Sequence, residues 1–93
     1  GYLHMRAFIT VIGKDTVGIL AKVSQKCAES GINVMEVTQS VLQEMFAMIM
    51  LVDIAKATVS LETLSDELEA LGNEMGLKIH VMHEDIFNSM HRI

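Results

Sequence analysis

Residues 45–52 read Met-Phe-Ala-Met-Ile-Met-Leu-Val, eight apolar side chains without a break. This is the longest such run in a chain of 93 residues, and its length limits what the chain can become. It is an ordinary β-strand length, and far short of the ~18 residues that a membrane-spanning helix needs. A strand that is apolar on both sides belongs in the middle of a sheet and needs cover on both faces. The flanking sequence must supply that cover.

The neighbouring segments alternate between two periods. Arg6–Gly13 is a β-rich run ending in glycine and is expected to be the first strand. Over residues 18–30 the period changes. Ile19, Leu20, Val23, Cys27 and Ala28 fall on one helical face, with Lys22, Gln25, Lys26 and Glu29 opposite, and Gly31 stands where such a helix stops. Asn33–Leu42 and residues 45–54 form the next two strands, and Gln43-Glu44 makes a tight turn without the usual Asn-Gly signal. Ser60 is placed to cap a second helix, whose apolar stripe is Leu61, Leu64, Leu68, Leu71 and Met75. That helix ends at Gly72 or Gly76. Residues 77–83 alternate as a fourth strand. Residues 84–93 form a last helix, with Glu84 and Asp85 at its positive end and Ile86, Phe87 and Met90 on its apolar side.

The order βαββαβ, with right-handed crossovers, predicts an α+β, ferredoxin-like sandwich. Its helices cover one face of a four-stranded antiparallel sheet, and the first and third strands lie in the middle. Phe8, Ile9, Val11 and Ile12 make the first strand apolar on both faces as well. Two such strands side by side leave an apolar patch on the open face, which calls for a homodimer or higher oligomer, with the last helix covering part of it. Residues 1–4 read as a cloning remnant before Met5, and residues 5–93 as one domain.

Charge and composition exclude several classes. The net charge is −5, and the seven Lys and Arg are scattered, so no basic patch is available for nucleic acid. The 51% hydrophobic content, with no proline or tryptophan, supports a packed core rather than disorder. No membrane span or secretory segment is visible, and a cytoplasmic setting is expected. Cys27 is the only cysteine; it lies on an apolar helix face and reads as a small buried hydrophobe. The serines lack a histidine–acid context, so no enzyme is expected and no cofactor or metal is implied. His80 and His83 stand three apart on a strand and therefore point to opposite faces, which is poor placement for one metal ion.

The most informative segment is Gly13-Lys14-Asp15-Thr16-Val17-Gly18-Ile19-Leu20. It joins the first strand to the first helix, where unpaired N–H groups and a partial positive charge favour an anion. Gly18 lets a ligand or backbone approach closely, and Asp15 can accept hydrogen bonds from an ammonium group. Taken alone, these residues favour a plainer role, with Asp15 capping the helix or turn and Gly18 allowing tight packing. The spacing of Gly13 and Gly18 imitates a phosphate loop, but Ile19-Leu20 replaces the Lys-Ser/Thr that loop requires.

The segment Asp15-x-x-Gly18-Ile19-Leu20, a helix with Val23, and Gly31-Ile32-Asn33-Val34 opening the next strand together resemble the ACT-domain pattern. Thr38-Gln39-Ser40-Val41-Leu42 and Ile86-Phe87 are similar to the free-standing, single-ACT-domain proteins of bacteria and archaea. The resemblance implies a regulatory module that senses an amino acid or related metabolite at a homodimer interface. It implies a ligand site made by Asp15, Thr16, Val17, Gly18 and Ile19 of one subunit with Asn33 of another, and a protein partner that receives the signal. The chain departs from the pattern at Gly13, where some amino-acid-binding members have histidine, and at Val17, where proline is common. An interaction module without a small ligand is the alternative.

Overall fold

The computed structural model describes residues 5–14 and 18–90. Residues 1–4, the loop centre at 15–17 and the chain end at 91–93 lie outside the described residues, and with them Asp15, Thr16 and Val17. The elements are β1 (Arg6–Gly13), α1 (Ile19–Glu29), β2 (Asn33–Leu42), β3 (Met45–Asp53), α2 (Leu61–Met75), β4 (Lys78–His83) and α3 (Glu84–Met90). The four strands form one antiparallel sheet in the order β2-β3-β1-β4. The central pair is therefore β1 and β3, as the doubly apolar runs require.

Both central strands alternate once they are in the sheet. Ala7, Ile9 and Val11 of β1, with Met48, Met50 and Val52 of β3, are fully buried beneath the helices. They meet Ile19, Val23 and Cys27 of α1 and Leu64 and Leu68 of α2 in one core. The opposite face is only partly covered. Phe8, Thr10 and Leu51 are half-buried, whereas Ile12, Met45 and Ile49 remain 44%, 42% and 39% exposed. The last helix, α3, packs against β1 and β4. Arg6 Nη2 forms an ion pair there with the Glu84 carboxylate, which is buried at the start of the helix.

Local chemistry sets the element ends. Ser60 Oγ accepts the Thr63 N–H at 3.1 Å and caps α2. Of the two candidate stops, Gly76 is the C-cap, with a left-handed φ of 72°. Gly72 lies inside the helix and is buried against β4, where a Cβ would come within 2.9 Å of the Leu77 carbonyl oxygen. The tight turn after β2 places Gln43 at φ 57°, among the described residues the one non-glycine with positive φ. The third strand stops at Asp53, one residue early, because Asp53 Oδ1 captures the Ala55 N–H at 2.8 Å and turns the chain. The fourth starts at Lys78 because the Leu77 N–H closes the end of α2 on the Gly72 carbonyl at 2.8 Å.

Two residues expected on the apolar face of α1 are not covered: Ala28 is exposed and Leu20 is 37% exposed. The buried stripe is the narrower set Ile19, Val23 and Cys27. Its spacing of four keeps one line of side chains on the sheet.

On the edge strand β2 a bulge between Val34 and Glu36 breaks the register. Val34 opposes Val52 and faces the helices, whereas Glu36 opposes Leu51 and faces away. The extra residue turns Val37 and Val41 back to the helix side, opposite Met50 and Phe46. They are nevertheless 37% and 69% exposed, so the sheet extends beyond its helix layer at this edge.

Candidate ligand-binding site

Gly18 is the N-cap of α1, with φ 79° and ψ −1°, and its carbonyl accepts the first helical bond from the Lys22 N–H at 3.0 Å. No side chain caps this helix among the described residues. A Cβ built on Gly18 would meet nothing within 4 Å among the described residues. Packing against the described residues therefore does not require glycine here; the left-handed φ does. The Ile19 side chain is 1% exposed and belongs to the core, so Ile19 offers a ligand only its backbone. At Gly13, where histidine was noted as the alternative, a Cβ would collide with the buried Leu77 side chain.

Asn33, the first residue of β2, is exposed and lies at the other end of the sheet. It opposes Asp53, which opposes Arg6, whereas Gly13 opposes Phe46. From Asp53 to Phe46 is seven residues along β3, or about 23 Å at ~3.3 Å per residue. Within one chain, the residues around Gly18 and Asn33 are not brought together.

Asn33 has its own surroundings. Gly31, Asn33, Asp53, Ala55 and Lys56 line a pocket of about 250 Å³. Its two walls are the turn from α1 into β2 and the loop after β3. The Thr58 N–H donates to the Ser30 carbonyl at 2.8 Å and ties them. Gly31, at φ 73°, lies so close that a Cβ would stand 2.6 Å from the Lys56 carbonyl oxygen. Asp53 and Lys56 were not singled out in the sequence. They lie about twenty residues from Asn33, and only the register of β2 on β3 joins them. The available signal was an acid closing an otherwise apolar strand.

The remaining groups are accounted for locally. Cys27 is fully buried, and loss of hydration raises its thiol above the ordinary range. His80 opposes Thr10 on the open face, while His83 opposes Ala7, so the two histidines do point to opposite faces. His83 Nδ1 accepts the Asp85 N–H at 3.0 Å. Among the described residues no three His, Cys, Asp or Glu side chains gather as a metal site. Between α1 and α2 an open groove of about 350 Å³ carries charges of both signs, and Lys26 reaches Glu67 across it at 3.5 Å. No helix among the described residues is long and apolar enough to cross a membrane.

The chain is similar to known proteins over nearly its whole length. A UPF0237 protein of Methanocaldococcus jannaschii is 48% identical over 88 residues, covering 95% of this chain and 98% of that protein. The structure of an ACT domain protein from Streptococcus pneumoniae is 41% identical, with a TM-score of 0.78, covering 89% of this chain and 93% of that one. The regulatory subunit of aspartate kinase from Thermus thermophilus, in ligand-free form, is 30% identical with a TM-score of 0.62, covering 84% of this chain and 50% of that one. The sequence profile of the ACT domain matches residues 6–82. The strand order and these likenesses agree: the chain belongs to the ACT-domain family.

Proposed function

We propose that this protein is a regulatory sensor that binds a small amino acid or related metabolite between two copies of itself, and is not an enzyme. The observation that carries the reading is the placement of Gly18 and Asn33 at opposite ends of one sheet. Two protomers paired through antiparallel β2 edges bring Asn33 of each to the end where the other's α1 begins. The ligand's carboxylate then meets the unpaired first-turn N–H groups beside Gly18. Asp15, with Thr16 and Val17, completes the loop side, and Asn33 reaches in from the second protomer. A two-fold pairing makes two such sites.

Exposed Val37 and Val41 on the helix side of β2 support the pairing, since a second sheet and its helices would cover them. Dimerisation through this edge also covers the outer side of a ten-residue edge strand. The sensor resides in the cytoplasm and passes its state to a protein partner. Titration calorimetry against the twenty amino acids tests the reading, with Asp15→Ala and Asn33→Ala as site variants. Loss of binding in both is expected. A ligand that binds both variants as tightly as the unaltered protein removes the site assignment.

Ile12, Met45 and Ile49 on the open face support a second reading, an interaction module whose apolar face docks another protein. A stable heteromer on purification from native lysate, with no response to any amino acid, would select it.

A further inference from the structure

We propose that Asp53 and Lys56 are specificity residues of the ligand site: Asp53 receives the ligand's ammonium group, and Lys56 adds a charged contact to the carboxylate that the other protomer holds at the first turn of α1. The inference rests on the interface reading above and adds to it the two groups that choose the ligand.

Four observations carry it. First, Asn33 and Asp53 are direct cross-strand partners on the same face, which sets their side chains ~5 Å apart at the Cβ atoms. Second, Asp53, Lys56 and Asn33 line one pocket, and among the described residues Asp53 and Lys56 form no ion pair with each other. The Asp53 carboxylate spends one oxygen on the Ala55 N–H, which fixes the group's orientation and leaves Oδ2 without a partner among the described residues. Third, the walls are held before any ligand arrives, by the Thr58-to-Ser30 bond and the close approach of Gly31 to Lys56. Held donors and acceptors bind with less ordering cost than mobile ones. Fourth, the pocket's 250 Å³ is just below the ~300 Å³ at which ordinary ligand sites begin. It is sized for the polar head of a small molecule, and in the interface reading the second protomer closes the site around the rest.

The test uses the intact chain and calorimetry with each of the twenty amino acids. The tightest binder is then compared with its α-hydroxy acid and its decarboxylated amine. Asp53→Asn keeps the acceptor for Ala55 and removes the charge; Lys56→Gln changes an exposed side chain. Asp53→Asn should weaken the amino acid at least tenfold and leave the α-hydroxy acid within twofold. Lys56→Gln should weaken the amino acid and the α-hydroxy acid several-fold and leave the decarboxylated amine unchanged. If both variants bind the amino acid as the unaltered protein does, the inference is overturned while the interface reading stands. If either variant weakens all three probes equally, its role is structural and the inference is likewise overturned. If the unaltered protein binds none of the twenty, both readings fall together.

Discussion

A glycine inside a helix usually costs about 1 kcal/mol relative to alanine, so alanine at position 72 should by propensity alone stabilise α2. Here packing opposes propensity. A Cβ at 72 would press on the Leu77 backbone oxygen at 2.9 Å and on Ile79 Cγ1 at 3.0 Å. A backbone carbonyl cannot rotate away as a side chain does, and overpacking of this kind costs ~1–3 kcal/mol. Gly72→Ala is therefore expected to destabilise by about 1 kcal/mol net, read as a lower urea midpoint. A stabilised variant would show that β4 gives way. Cys27 offers a second check at this scale. On unfolding, its thiol ionises near the ordinary value of 9.0, while in the core burial holds it neutral to higher pH. Above about pH 9 the unfolded state thus binds fewer protons than the folded one, and stability falls as pH rises through that window toward the raised value. Cys27→Ala should abolish that part of the decline in a series of urea titrations from pH 7 to 10.5.

At the scale of elements, β1 and β2 were legible to the residue because each begins and ends on a change of residue chemistry: glycine closes one, and the Gly31 stop precedes the other. The end of α2 was not legible. Gly72 and Gly76 look alike until β4 is laid against the first of them, and only tertiary packing tells them apart. The bulge at Met35 was invisible for the same reason, although it decides which faces Val37 and Val41 occupy. At the candidate site, Gly18 was singled out by its place between strand and helix and Asn33 only by the family resemblance, whereas the neighbourhood of Asn33 with Asp53 and Lys56 required the register. The docking of α3 was half legible. Glu84 was expected as a helix-starting acid, but the fold buries its carboxylate beside Arg6, whose Nε is itself buried without a hydrogen bond. Removing one member of such a pair leaves the other charge stranded. The Arg6 side chain is one-third exposed, so water moderates the loss. Arg6→Met is expected to cost about 1–2 kcal/mol, more than Glu84→Gln, and the double variant should recover part of it. Urea midpoints of the three variants form the cycle, and strict additivity would show that the pair does not couple.

For the whole molecule, the proposed pairing of two copies has two candidate contacts, because the fold leaves two apolar surfaces of different kinds. One is the open face, with Ile12, Met45 and Ile49 exposed across the central strands. The other is the β2 edge, where Val37 and Val41 extend past the helix layer along the outer side of a ten-residue edge strand. The edge has the stronger claim. It offers main-chain hydrogen bonds as well as apolar area, and an unprotected edge of that length invites pairing with another chain. The other edge, β4, is six residues long and lies along α2 with α3 at its end. The two arrangements respond differently to charge. Lysines at 37 and 41 would bring four like charges onto one face of the proposed two-fold β2 pair, so Val37→Lys/Val41→Lys should convert the proposed dimer to monomer in light scattering. Both side chains are solvent-accessible in the single chain, so the unfolding midpoint of the monomer should move little. Ile49→Lys, on the open face, should leave the dimer intact. The reverse pattern, with Ile49→Lys dissociating the protein and the β2 variant remaining dimeric, would place the contact on the sheet face. It would also separate Asn33 of one copy from Gly18 of the other, and so remove the geometry on which the proposed ligand site depends.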